Sequence, residues 1–128
     1  MAGQRACDSA VIAGRMSKAN EFLAAADHLG KELPNAAGDL YVDAGIAAAD
    51  VICCVRLGAH SNTGNHSEAV ALLKRADGGC ERHLSTLLSL KAKAAYTHQD
   101  LTAAELKKMN RAAERLVESA RRVVASGR

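Results

Sequence analysis

Apolar residues recur at steps of three and four along much of the chain, and the first such run passes through Ile12, Met16, Ala19, Leu23 and Ala26. That spacing lines one face of an amphipathic helix over residues 8–29, with Gly30 as its stop signal. Pro34 disfavours helical geometry in the residue before it and Asn35 is a good N-cap, so a second helix is expected over residues 37–57. This second helix carries Leu40, Val42, Ile46, Val51, Ile52 and Val55 on more than one face, and its alanines Ala44, Ala47, Ala48 and Ala49 allow close approach. It belongs at the centre of a bundle, with neighbours on several sides.

The segment GAHSNTG, residues 58–64, has no apolar periodicity and reads as a loop. Asn65 followed by Glu68 resembles a capping box that opens a short third helix over residues 67–75, closed by Gly78-Gly79. A fourth helix should begin near Cys80 and run through Leu84, Leu87, Leu88 and Lys91 to about Tyr96. Thr102-Ala-Ala-Glu105 is a clearer capping box. It precedes Leu106, Met109, Ala113, Leu116, Ala120 and Val123, which alternate steps of three and four as a buried seam does. The opposite face carries Lys107, Lys108, Arg111, Arg115, Arg121 and Arg122, interrupted by Glu114 and Glu118, the usual appearance of a solvated helix face. No strand pattern, internal repeat or long linker stands out. The expectation is an all-α protein, an antiparallel four-helix bundle with an additional short helix.

Composition narrows this picture. At 128 residues the chain has room for one domain, residues 1–128, with one core. Tryptophan is absent and phenylalanine occurs once, so the core must be aliphatic. No uninterrupted apolar run approaches the roughly 20 residues that span a bilayer, and Arg5, Asp8 and Arg15 break up the N-terminal segment. No membrane association is expected, and the reading favours the cytoplasm. Cys7, Cys53, Cys54 and Cys80 lack C-x-x-C spacing, and neighbours Cys53 and Cys54 point in different directions on a helix, so buried reduced thiols are expected. The net charge of +3 permits contact with RNA without demanding it.

Two stretches carry a family resemblance. AGIAAADVICCVRLGAHSNTGNHSEAVALL, Ala44 to Leu73, looks like the second helix, connecting loop and third helix of HEPN proteins, and LLSLKAKAAYTHQDLTAAELKKMNRAAERLVESARR, Leu87 to Arg122, looks like the HEPN motif helix and the last bundle helix. Many HEPN domains are metal-independent ribonucleases, often toxins encoded beside a minimal nucleotidyltransferase antitoxin. Their active motif is an arginine followed after four to six residues by a histidine, and two such sites meet across a homodimer. The cation stabilises charge on a scissile phosphate while the imidazole moves a proton.

Carried onto this chain, the motif's histidine falls on His98 and its cation on Lys93, across four intervening residues, or Lys91, across six; a second alignment sets Tyr96 in the histidine position. Lysine keeps the positive charge but lacks the planar fork that grips a phosphate in register. The resemblance therefore implies either an RNA-cleaving toxin or a degenerate domain that binds a protein or nucleic acid, in both cases as a homodimer. Asp43 and Asp50 point the same way from the central helix, where they either reach the bundle rim or take a basic partner such as Lys91, Lys93 or Arg56. Asp50, Arg56 and His66 are the candidate substrate contacts. His60 and His66 flank the loop without a Cys or carboxylate at ligand spacing, so loop or cap roles are favoured over a metal site, and no cofactor motif is present.

Overall fold

The computed structural model describes residues 3–62 and 64–127; Met1, Ala2, Thr63 and Arg128, including Thr63 of the expected loop, lie outside the described residues. The chain is helical, in the order β1 (Gln4–Ala6), α1 (Ser9–Leu29), α2 (Pro34–Leu57), β2 (Ala59–Ser61), α3 (His66–Ala76), α4 (Glu81–Ala95) and α5 (Ala103–Ser126).

Local chemistry sets most of these limits. Asp8 caps α1 by accepting the Val11 N–H, and Asn65 caps α3 by accepting the Glu68 N–H, interactions worth about 1 kcal/mol each. At α5 the Thr102–Glu105 box forms reciprocally, as its sequence predicts. The start of α2 differs from expectation. The helix begins at Pro34 rather than after Asn35, because proline at the first helical position gives up an N–H that has no partner there anyway. Asn35, freed from capping, accepts the Leu101 N–H at 2.9 Å and donates to Asp100 at 2.8 Å, which pins the α4–α5 connection to the start of α2.

α2 touches α1, α3, α4 and α5, and α5 also rests on α4 and α1, so the core sits around α2 as its apolar faces predict. α1 and α2 run antiparallel, joined near one end by Tyr41 and Asp27 and near the other by Asp50 and Arg15. α2 and α5 run in the same direction at very close range. A Cβ at Gly38 would collide with Leu101 and press on Met109, and one at Gly45 would collide with Leu87 and press on Leu116. The two glycines are seven apart and share a face, so the backbone itself is the contact surface there. The predicted α5 seam, Leu106 to Val123, is buried throughout.

Two expectations are corrected. The loop after α2 contains β2, which pairs antiparallel with β1 in the register Gln4↔Ser61, Arg5↔His60 and Ala6↔Ala59. Three-residue strands are too short to print an alternating pattern in the sequence. That pairing brings Cys7 to the last turn of α2, where it forms a disulfide with Cys54 at a Cα–Cα distance of 5.6 Å, within the usual span of such bonds. Reduced thiols describe only Cys53 and Cys80, both free and buried. Local spacing is silent about a bond that closes across 47 positions. Among the described residues no helix is long and apolar enough to cross a membrane.

Candidate functional site

α2, α3, α4 and the turn after β2 enclose a cavity of about 180 Å³ with a mixed lining. Ile46, Ala69, Leu84 and Leu88 supply apolar walls; Asp50, Cys53, Ser61, His66 and Lys91 bring chemistry to it. The position of Asp50 follows from helical periodicity, since it lies seven residues after Asp43 on the one partly exposed stripe of an otherwise buried helix.

Asp50 is the electrostatic centre. Its side chain is only 13% exposed, and Oδ2 accepts from Arg15 Nε at 3.0 Å while Oδ1 lies 3.7 Å from His60 Nδ1. Burial holds its carboxyl above the ordinary range, against the opposing pull of Arg15 and His60. His60 Nδ1 also lies 2.9 Å from the Ser61 carbonyl, which fixes the ring against the β2 backbone. Asp43, one turn and more away, is raised by burial and by Asp39, with Lys91 and Arg15 opposing. Cys53 is no nucleophile at neutral pH. Burial and the Asp50 charge push its thiol up to about 12. The Ser61 hydroxyl oxygen is buried with no hydrogen-bond partner among the described residues, in a residue that lines the cavity.

The residues singled out in the sequence divide into two groups. Asp50, His66 and Lys91 come together around this cavity. Lys93, Tyr96, His98 and Arg56 do not. Lys93 Nζ is bound to Glu105 at 2.8 Å, Tyr96 ends α4 with 75% of its surface exposed, and His98 is exposed in the turn beyond. Because α4 stops at Ala95, Lys91 and His98 do not share a continuous helical face. Arg56 donates to the Ala76 carbonyl at 3.3 Å and so closes the C-terminus of α3 rather than pairing with Asp43 or Asp50. The partner of Asp50 is Arg15 instead. A signal for it exists in the sequence, since Arg15 falls three residues after Ile12 and four before Ala19, on the apolar face of α1.

The cavity can therefore hold a small polar group between an ammonium and an imidazole, with its acid already compensated by Arg15. It does not assemble the two halves of the expected motif. The chain matches no protein-family model, no curated protein and no solved structure.

Proposed function

We propose that the protein is a HEPN-like helical bundle that binds RNA rather than cleaving it, the degenerate form of the module that the sequence resembles. What supports the reading is the separation of the motif's two halves. Lys93, with four residues between it and His98, has its charge taken up by Glu105; Lys91, with six between, opens into the α2–α3–α4 cavity; and His98 stands in the turn past the end of α4. Proton transfer in RNA cleavage needs an imidazole within about 3 Å of the reacting oxygen while a cation holds the phosphate. A homodimer, with the ends of two α4 helices facing one groove, and an adjacent-gene nucleotidyltransferase as antitoxin partner belong to the same reading.

The cytoplasm is part of that reading as well, and it carries a consequence for the fold. Under that reading Cys7 and the buried Cys54 stand as thiols in the cell, and the strand pairing alone holds the β1 segment.

A second reading, an active ribonuclease, draws on Lys91, His66 and Asp50 lining one cavity, a cation, an imidazole and a carboxylate in reach of one small group. Incubation of the purified protein with labelled RNA separates the two. Binding with intact RNA supports the binding module; cleavage lost in both Lys91→Ala and His66→Ala supports the second reading.

A further inference from the structure

α4 and α5 pack antiparallel and leave between them a surface groove of about 440 Å³. Arg82 from α4 and Lys107, Lys108, Arg111 and Arg115 from α5 line it, over small floor residues such as Ala104 and Ala112, and no carboxylate is among the lining side chains. The arrangement follows from the α5 pattern. With Leu106, Met109, Ala113 and Leu116 turned inward, positions 107, 108, 111 and 115 fall on the outward arc beside α4.

Two of the three acids of α5 are engaged elsewhere, Glu105 with Lys93 and its own cap and Glu118 with Arg121, and Glu114 is not among the groove's lining side chains. Four cations outside the groove are tied into the fold: Arg15 holds Asp50, Lys93 holds Glu105, Arg121 holds Asn20, and Arg56 holds the Ala76 carbonyl, while exposed ones such as Lys18, Lys31 and Lys74 stand on separate parts of the chain. In contrast, the side chains of Arg82, Lys107, Lys108, Arg111 and Arg115 make no hydrogen bond or ion pair among the described residues. Five cations lining one groove without a direct acidic partner create a local positive potential that a bound anion relieves. His83, at the edge of the groove, registers that field: burial first, and then Arg82 and Arg115, hold its imidazole below the ordinary range against Glu81.

The lining also selects the kind of anion. Protein interfaces concentrate their energy in aromatic or aliphatic anchors, and the exposed large apolar residues Leu33, Tyr96 and Val124 all lie outside the groove. No asparagine or glutamine lines it to read a base and the His83 imidazole is the one ring among its lining side chains, so the contact is chiefly with a backbone and largely indifferent to sequence. From Lys107 to Arg115 the helix rises about 12 Å, long enough for consecutive phosphates along one strand.

We propose that the α4–α5 groove tracks the phosphodiester backbone of single-stranded RNA, with Lys107, Arg111 and Arg115 as its principal phosphate contacts. The polyanion is argued from charge and shape; the choice of RNA rests on the functional reading above. The groove is distinct from the α2–α3–α4 cavity and shares no lining residue with it.

The test is fluorescence anisotropy of a labelled, mixed-sequence single-stranded RNA titrated with the full chain across a salt series. The triple change Lys107→Ala/Arg111→Ala/Arg115→Ala alters exposed positions only, and circular dichroism checks that the helices persist. Its affinity should fall by about tenfold or more, and the slope of log affinity against log salt should flatten by about 2, near 0.7 for each lost charge. Lys18→Ala/Lys31→Ala/Lys74→Ala removes the same net charge from exposed sites elsewhere and should retain most of the affinity. Wild type that binds RNA while the groove variant binds equally well overturns the groove and leaves the functional reading intact. An equal loss in both triple variants overturns it as an effect of net charge. Tighter binding of a DNA strand of the same sequence overturns the choice of RNA, and displacement of RNA by an equal concentration of polyglutamate overturns the choice of nucleic acid. A wild type that binds no RNA at all removes the functional reading together with this proposal.

Discussion

Lys93 donates from Nζ to Oε1 of Glu105 at 2.8 Å, and the same oxygen accepts the Thr102 N–H at 2.9 Å. One carboxylate thus closes the α5 cap and neutralises one of the two lysines of the degenerate motif. Replacing it with an amide separates the two roles. Glu105→Gln keeps the shape needed for the cap, releases the Lys93 charge, and should raise RNA affinity while steepening its salt dependence by about 0.7 in the log–log slope. Unchanged affinity would mean that Lys93 lies outside the RNA path.

The same carboxyl sets a pH dependence. The hydrogen bond from Lys93 and the Thr102 N–H hold it down to about 2, against an ordinary value of 4.5. A lowered folded-state value contributes stability that is complete above the unfolded value and disappears as pH falls through the folded one. Thermal midpoints should therefore decline between about pH 4.5 and about pH 2, and the Glu105→Gln protein should decline less steeply over that window. Parallel curves for the two proteins would contradict the cap geometry.

Tyr41 offers an internal check on the bundle. Its hydroxyl donates to Asp27 at 2.7 Å and accepts from Asn110 at 2.7 Å, which ties α1, α2 and α5 together, and burial together with the Asp27 bond pushes it up to about 12. In a Tyr96→Phe background, where Tyr41 is the sole tyrosine, ultraviolet titration should find this high value. Asp27→Asn should lower it, because the carboxylate charge that disfavours the phenolate is gone, while burial, the larger cause, keeps it above 10.

Cys7 and Cys54 close a loop across 47 positions, for which the loop-entropy account gives about 4 kcal/mol as an upper figure. Reduction, or Cys7→Ser, should lower the urea midpoint without altering the helical signal. An identical midpoint in oxidised and reduced protein would show that the β1 segment is held by its strand pairing alone.

Much of this fold is legible in the sequence. α5 is marked by the Thr102–Glu105 box and by a seam whose positions are all buried, and α2 by apolar residues around its whole circumference. What escapes is long-range or very short. The β1–β2 pair has too few residues for a period, and the Cys7–Cys54 bond depends on that pair. In the site, Asp50, His66 and Lys91 are recognisable as polar residues on or beside apolar helices, and the cavity gathers them. The partners are less predictable: Asp50 takes Arg15 from another helix and Lys93 takes Glu105 from a cap, choices that depend on how helices are rotated against one another. The α5 cations read as an ordinary solvated face because a single helix does not reveal which of its acids its neighbours engage.

Leu116 tests the packing beneath that face. It is fully buried and lies against the position of Gly45, so Leu116→Ala should cost about 2–5 kcal/mol in urea unfolding, and Leu116→Asp should prevent folding at room temperature. A stable Leu116→Asp protein would mean that α5 presents another side to the core.

The most direct measurement of the central claim reads binding and cleavage on the same samples. Labelled single-stranded RNA is titrated with purified wild-type protein, followed by anisotropy, and then run on a denaturing gel. The account predicts a saturable, salt-sensitive anisotropy rise with full-length RNA on the gel, and the same result for His98→Ala. Cleavage by the wild type that His98→Ala abolishes would contradict it.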